Sequence, residues 1–426
     1  MKKQPKRFDM TLKPRKTLDV LMPVIRALSV PDVKKHGGIL EDLRPADLRP
    51  PYILLSNHNA FMDFKVMSDA IWPNKANYVV AIDGFLGREK LLRDVGCICK
   101  RKFTNDILLV RQIKRSLHDL KNICVIFPEA RYSLCGTTAV LPESLGQLCR
   151  MMKVPVVMLT CHGHHVNSPF WDSAHDRGVN PIEAKIEVLF TPEELAEKTA
   201  NEINERLVEA FRYDDFAWQK EKGIKVTYPK RAEGLHKVLY QCPECGAEYR
   251  MASENDRLFC RACGKGWRMT ELGELEAEDG NTRFSHIPDW YEWERENVRR
   301  EVREGTYSSG ELPVHVKSLP KNKFIDLGEG TLVHDGEGFR VKGVDFDGDP
   351  FEMIKPVPSM YSCHIEYDYL GKYGDNVDLN TLEDTWYIHP TCPEDRYSVT
   401  KMALAAEELY FYHREKIGKP CKKGLA

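Results

Sequence analysis

Between Tyr52 and residue 211, short apolar runs alternate with stretches in which apolar residues return every three or four positions. The first pattern predicts buried strands, the second helices with one face on a core. Tyr52-Ile-Leu-Leu, Asn77 to Ile82, Gly96 to Lys100, Asn122 to Phe127, Val154 to Cys161 and residues 183 to 190 read as strands. Leu86 to Asp94, Asn105 to Leu120, and residues 142 to 152 and 192 to 211 read as helices. Thr191-Pro-Glu-Glu opens the last of these with a cap, a proline and two acids near the positive helix end. Strands alternating with helices imply an α/β fold, a largely parallel sheet flanked by helices.

The pattern changes on either side of this region. Leu18, Leu21, Met22, Ile25 and Leu28 predict an amphipathic helix, which packs on a core or lies on a membrane surface. Pro288 to Arg303 reads as a charged helical connector whose Trp290 and Trp293 pack. Beyond it come short β-like runs, a turn at Asp335-Gly-Glu-Gly, and an apolar-striped helix from Val399 to His413. This small β-rich domain with a terminal helix has the look of a pleckstrin-homology-type barrel. The expected units are a basic arm and helix (1–35), the α/β domain (36–230), a cysteine-rich segment (236–275), a helical linker (284–304) and the β-rich domain (305–426).

Candidate chemistry sits where the predicted strands end. Ser56-Asn-His-Asn turns from the first strand into a helix, so His58 falls at the carboxyl edge of the sheet, where open α/β folds bind ligands. Asp63 lies five positions on, within reach of the imidazole across the turn, where it would fix the ring's tautomer. Fourteen histidines make such a spacing ordinary by chance, but His58 is the only one with aspartate at that offset. The strand ending at Phe127 runs into Pro128-Glu-Ala-Arg-Tyr-Ser and again sets charges at a sheet edge.

Together these stretches resemble the glycerolipid acyltransferase family, which includes lysophosphatidate and glycerol-3-phosphate acyltransferases. Its first block, N-H-x-x-x-x-D, is matched by Asn57, His58 and Asp63. Its third, F-P-E-G-T-R-S, is matched by Phe127 to Ser133, with Ala130 in place of glycine and the threonine absent, so that Arg131 comes one residue early. Gly96-Cys-Ile-Cys-Lys-Arg-Lys resembles the second block, with Arg101 or Lys102 in the basic role, and Val154-Pro-Val-Val the fourth. The resemblance implies transfer of a fatty acyl group from an acyl thioester, carried by coenzyme A or a carrier protein, to a hydroxyl of lysophosphatidate. Glycerol 3-phosphate or another lysophospholipid is the alternative acceptor. His58 would be the general base and Asp63 its orienting carboxylate. Arg131, with Arg101 or Lys102, would hold the acceptor phosphate, and Glu129 would join in acceptor binding. Oxyanion donors are expected among backbone amides near the helix start.

Composition refines this. The chain has 426 residues, 42% hydrophobic and 30% charged, with a net charge of −2, so no global basic field points to nucleic acid. Seven of the first sixteen residues are Lys or Arg, a basic arm suited to an anionic surface or simply a solvated terminus. No signal peptide and no apolar run of membrane-spanning length is visible, and thirteen cysteines fit a reducing compartment. The expectation is a cytoplasmic protein, peripheral on the inner face of a membrane.

Two Cys-x-x-Cys-Gly knuckles, at Cys242, Cys245 and at Cys260, Cys263, predict a four-cysteine zinc ribbon with a closed, structural Zn2+ site. It lacks the basic stripe of a nucleic-acid ribbon, which leaves a protein partner for it or for the C-terminal domain. Cys161-His-Gly-His-His165 invites a metal reading too, but it has no second ligand pair. A non-catalytic scaffold using the ribbon and the β-rich domain is the contrasting class.

Overall fold

The computed structural model describes residues 7–172, 176–369, 374–422 and 424–426; Lys2, Lys3 and Lys6 of the basic arm lie outside them. Seven strands build the first sheet: β1 (Ile39–Asp42), β2 (Ile53–Ser56), β3 (Ala76–Ala81), β4 (Ile98–Lys100), β5 (Ile123–Ile126), β6 (Val156–His162) and β7 (Glu183–Phe190). Their order is β1-β7-β6-β2-β5-β3-β4, parallel except where β7 runs antiparallel to β6. The near-continuous apolar character of β2, β5 and β6 is explained by burial on both faces. Ile53 and Leu55 enter one hydrophobic cluster with Cys124 and Val156, while Leu54 enters the other with Val125 and Val157.

This order positions the chemistry. β6, β2 and β5 are adjacent and parallel, so the loops after residues 56, 126 and 162 leave the same edge side by side. β4, which leads to Arg101 and Lys102, is the far edge strand, three ladder steps from β2 or about 14 Å.

Two expected helices differ from the pattern. The apolar repeat over 192 to 211 is two helices, Pro192–Glu197 and Ala200–Ala210, because Thr199 starts the second with its own capping box to Glu202. The N-terminal helix spans Leu21–Lys35 and turns Val20, Val24 and Leu28 outward, at 69%, 48% and 72% exposure.

The ribbon is a four-stranded antiparallel sheet, β8 (Met251–Glu254), β9 (Arg257–Cys260), β10 (Gly266–Met269) and β11 (Leu275–Ala277). Its Trp267 packs edge-on to Trp290 of the connector helix Ile287–Glu304, ring centroids 4.9 Å apart.

The C-terminal unit is a third sheet, β12 (Leu312–Ser318), β13 (Ile325–Asp335), β14 (Gly338–Val344), β15 (Pro350–Pro356), β16 (His364–Glu366), β17 (Asn376–Asn380) and β18 (Thr385–Pro390). Its order is β15-β14-β13-β12-β18-β17-β16, two antiparallel meanders joined where β12 pairs with β18, with no ladder between β15 and β16 among the described residues. Helix Val399–Lys416 packs on the connector helix and on β16.

The units interlock. Arg101, 1% exposed, donates to the carbonyls of Leu319, Pro320 and Glu383 and to Thr385 Oγ1. At the chain end, Leu425 is buried in the same cluster as Leu55, and the Leu141 and Ala426 backbones pair.

Candidate active site

The loop after β2 is fastened before it reaches His58. Asn57 Nδ2 donates to the Cys161 carbonyl and Asn57 Oδ1 accepts from the Cys161 amide, both at 2.8 Å, which ties the ends of β2 and β6. Helix Phe61–Ala70 then begins, and Asp63 folds back over its first turn. Asp63 Oδ2 accepts the amides of Asn59 at 2.6 Å and Ala60 at 3.0 Å, and lies 3.1 Å from His58 Nδ1. Two amides of the helix start are thus spent on Asp63 and are not oxyanion donors. A carboxylate here only accepts, so the His58 proton sits on Nδ1 and Nε2 is left as the basic nitrogen. The ring is stacked on Phe127 and tilted against Tyr132, with 23% of the side chain exposed.

Asp63 itself is fully buried. Burial opposes its charge, but hydrogen bonds from His164 and His58 outweigh that and hold its pKa at about 2 against an ordinary 3.8. The second imidazole, His164 Nδ1, lies 2.6 Å from Asp63 Oδ1.

The loop after β5 clamps the His58 backbone from both sides. Glu129 Oε1 accepts the His58 amide at 3.0 Å and its Oε2 accepts that of Ala139 at 2.7 Å, while Ser133 donates its amide to the His58 carbonyl at 2.8 Å. Glu129 is 1% exposed, and burial pushes its carboxyl up to about 8. It braces the loop. Ala130, at the position of the family's glycine, has φ +57°, a left-handed conformation that costs a side chain about 1–2 kcal/mol.

None of the three expected phosphate ligands is uncommitted. Arg131 is 5% exposed and donates to Glu407 of the C-terminal helix at 2.8 Å; Glu407 also accepts from Arg295 at 2.7 Å and from Ser362 at 2.8 Å. Arg101 is bound into the C-terminal sheet as described above. Lys102 donates to Asp83 at 3.0 Å; burial opposes its charge, and Asp83, Asp378 and Glu366 together keep its pKa above the ordinary value. The pattern of cations matched the family, but each is engaged by another part of this chain.

The histidine run after β6 does not gather around a common point. His162 stacks on Trp218, His165 sits between Trp171 and Phe216, and only His164 reaches Asp63. Tyr213, which donates to Asn59 Oδ1 at 2.7 Å, was not singled out by any motif. A cavity of about 1670 Å³ is lined by Thr137, Ala139, His162, Trp218, Arg295 and Phe411; His58 is not among its lining residues. Two other histidine–carboxylate pairs involve its lining, His286 Nε2 with Asp214 at 2.7 Å and His162 Nδ1 with Asp215 at 3.6 Å.

In the ribbon, the four Sγ atoms of Cys242, Cys245, Cys260 and Cys263 lie within 4.8 Å of one another. Cys242 and Cys263 are 3.8 Å apart, as are Cys245 and Cys260. Tetrahedral bonds of 2.3 Å to zinc require about 3.8 Å between sulfurs, so the donor set fits that ion.

The depressed pKa of Asp63 predicts an acid-sensitive site. A carboxyl whose folded pKa lies below its unfolded one contributes stability above about pH 4, and this is lost as pH falls through about 2. Asp63→Asn should lower unfolding free energy by roughly 2 kcal/mol at neutral pH and flatten this part of the acid dependence, measured by urea titration. An unchanged acid limb in the variant would contradict the assignment.

Residues 37–162 match the Acyltransferase family model, and residues 231–269 match that of ribosomal protein S27a. No curated protein matches the chain. Among solved structures it is similar to the 1-acyl-sn-glycerophosphate (LPA) acyltransferase PlsC from Thermotoga maritima, at 13% identity and a TM-score of 0.34, over 45% of this chain and 78% of that one. The matched segment runs from just before β1 through the end of β6 and holds His58, Asp63, Glu129 and Arg131: residues 37–162 are an acyltransferase-family domain.

Proposed function

We propose that this protein transfers a fatty acyl group from an acyl thioester, carried by coenzyme A or a carrier protein, to a hydroxyl of lysophosphatidate in phospholipid biosynthesis. The observation that carries the reading is His58 with Nδ1 on a buried carboxylate and Nε2 left basic on a partly open face. Nε2 takes the acceptor's hydroxyl proton as its oxygen attacks the thioester carbonyl. The tetrahedral adduct then expels the thiolate, which recovers that proton from the imidazolium, leaving ester and free thiol. Asp63 stabilises the imidazolium between the two steps.

The pairing of Arg131 with Glu407 favours a second reading of the acceptor. A phosphate monoester would have to displace a buried carboxylate that already holds three donors. A lysophospholipid whose phosphate is a diester carries only one negative charge and depends less on that arginine. Free thiol released from oleoyl-coenzyme A, with lysophosphatidate, glycerol 3-phosphate or lysophosphatidylethanolamine as acceptor, separates these readings. Turnover with one acceptor, falling by about 10²–10⁴ in His58→Ala, is expected. Release that survives His58→Ala would remove the base, and none with any acceptor or donor would favour a scaffold.

Access to a lipid acceptor is supported by the outward row of Val20, Val24 and Leu28, beside Arg26 and with exposed Phe61 on the neighbouring helix. No helix among the described residues is long and apolar enough to cross a membrane. Docking of this row on an anionic surface predicts that Val24→Glu with Leu28→Glu abolishes co-sedimentation with anionic vesicles at an unchanged melting temperature; retained sedimentation would refute it.

Cys242, Cys245, Cys260 and Cys263 would hold a structural Zn2+ that sets the ribbon against the connector helix. About one zinc per chain is expected by elemental analysis, with its loss and a lower melting temperature in Cys260→Ser. A metal-free protein of unchanged stability would exclude the site.

A further inference from the structure

Asp63 is shared between two imidazoles. His58 approaches Oδ2, and His164 approaches Oδ1 at 2.6 Å from a side chain with no exposure. A deprotonated Asp63 can only accept, so the proton of the shorter bond resides on His164 Nδ1. The other nitrogen, Nε2, is buried with no hydrogen-bond partner among the described residues. Leaving a polar atom unsatisfied in that way costs about 1–3 kcal/mol, and Nδ1, bonded to Asp63, is the one ring nitrogen of His164 that is used.

The backbone around His164 is built to hold it. Gly163, just before the short helix His164–Asn167, has φ +84°, and a Cβ there would meet the Trp218 ring at 2.8 Å. The buried Asp215 accepts the amides of Gly163 at 3.1 Å and His165 at 2.9 Å. These bonds pin the residues on both sides of His164.

Asp63, Cys161 and His164 lie close enough together to suggest a metal. Two of the three are otherwise engaged. Asp63 Oδ2 already takes three donors and Oδ1 takes His164 Nδ1, so neither the carboxylate nor that ring nitrogen is free for an ion.

We infer that His164 is a positioning residue for His58: it pins Asp63 Oδ1 so that Oδ2 stays in line with His58 Nδ1 and the basic nitrogen stays Nε2. The terminal torsion of an aspartate is soft, so without His164 the carboxylate turns and the His58 tautomer is no longer single. This rests on the proposed role of His58 as base.

The test compares full-length wild type with His164→Phe, which keeps a ring without a donor, and His164→Asn, which restores an N–H near the Nδ1 position. His164→Phe should lower kcat by about 10- to 100-fold, the range for groups that orient a functional ligand, with the acyl-donor KM little changed. His164→Asn should recover most of it. Equal turnover in His164→Phe and wild type, or His164→Asn as slow as His164→Phe, overturns the inference. If His164→Phe does not fold, His164→Gln replaces it, because its amide reaches toward Nε2 instead; rescue by Asn but not Gln supports the role, and equal behaviour overturns it. If the wild type shows no turnover with any acceptor, the function reading fails by itself. Side-chain nitrogen-15 spectra then decide: a single Nδ1–H tautomer of His58 that becomes mixed in the donor-less variant supports positioning, and an unaltered tautomer overturns it.

Discussion

Asp63 carries a charge out of contact with water, and it does so because four donors converge on two oxygens. Two are backbone amides that open helix Phe61–Ala70, and two are the imidazoles of His58 and His164. Stripping water from a carboxylate costs several kcal/mol, which the convergent donors and the positive helix end offset. The result is a fixed point to which the loop after β2, the helix start and the loop after β6 all attach. Glu129 and Ser133 add the loop after β5 by gripping the His58 backbone. Three adjacent strand ends are thus locked around one imidazole, whose Nδ1 is committed to Asp63.

A second buried set of charges joins this site to the rest of the chain. Arg131 and Arg295 share Glu407, and Arg101 supplies four hydrogen bonds to the edge of the C-terminal unit. Losing one partner of such a set leaves a buried charge unpaired, at a cost of about 3–5 kcal/mol. The β-rich unit therefore is not a tethered module. It packs onto the acyltransferase-family domain through side chains that the motif pattern associates with substrate.

How far the sequence reached follows from what kind of information each feature needs. Strands and helices of the sheet were legible because burial on two faces and on one face leave different periods. His58 and Asp63 were legible because both lie within one turn. The four cysteines were legible because ligand spacing is local. The fates of Arg101, Lys102 and Arg131 were not, since a guanidinium looks the same in sequence whether it meets a phosphate or a carboxylate 276 positions away. Strand order, which sends β4 to the far edge, is likewise absent from periodicity. His164 was visible only as one of a run of histidines; its partner lies 101 positions earlier. The helix break at Thr199 had a local signal, the capping box with Glu202, that the longer apolar repeat obscured.

In the proposed reaction, donor and acceptor meet at His58 Nε2 rather than in the cavity near Trp218. A crystal structure with a non-reactive thioether analogue of an acyl-coenzyme A tests it most directly. The thioether sulfur should lie beside the His58 ring, near Phe127 and Tyr132. An analogue lodged in the Trp218 cavity, with its sulfur out of reach of His58, would contradict it.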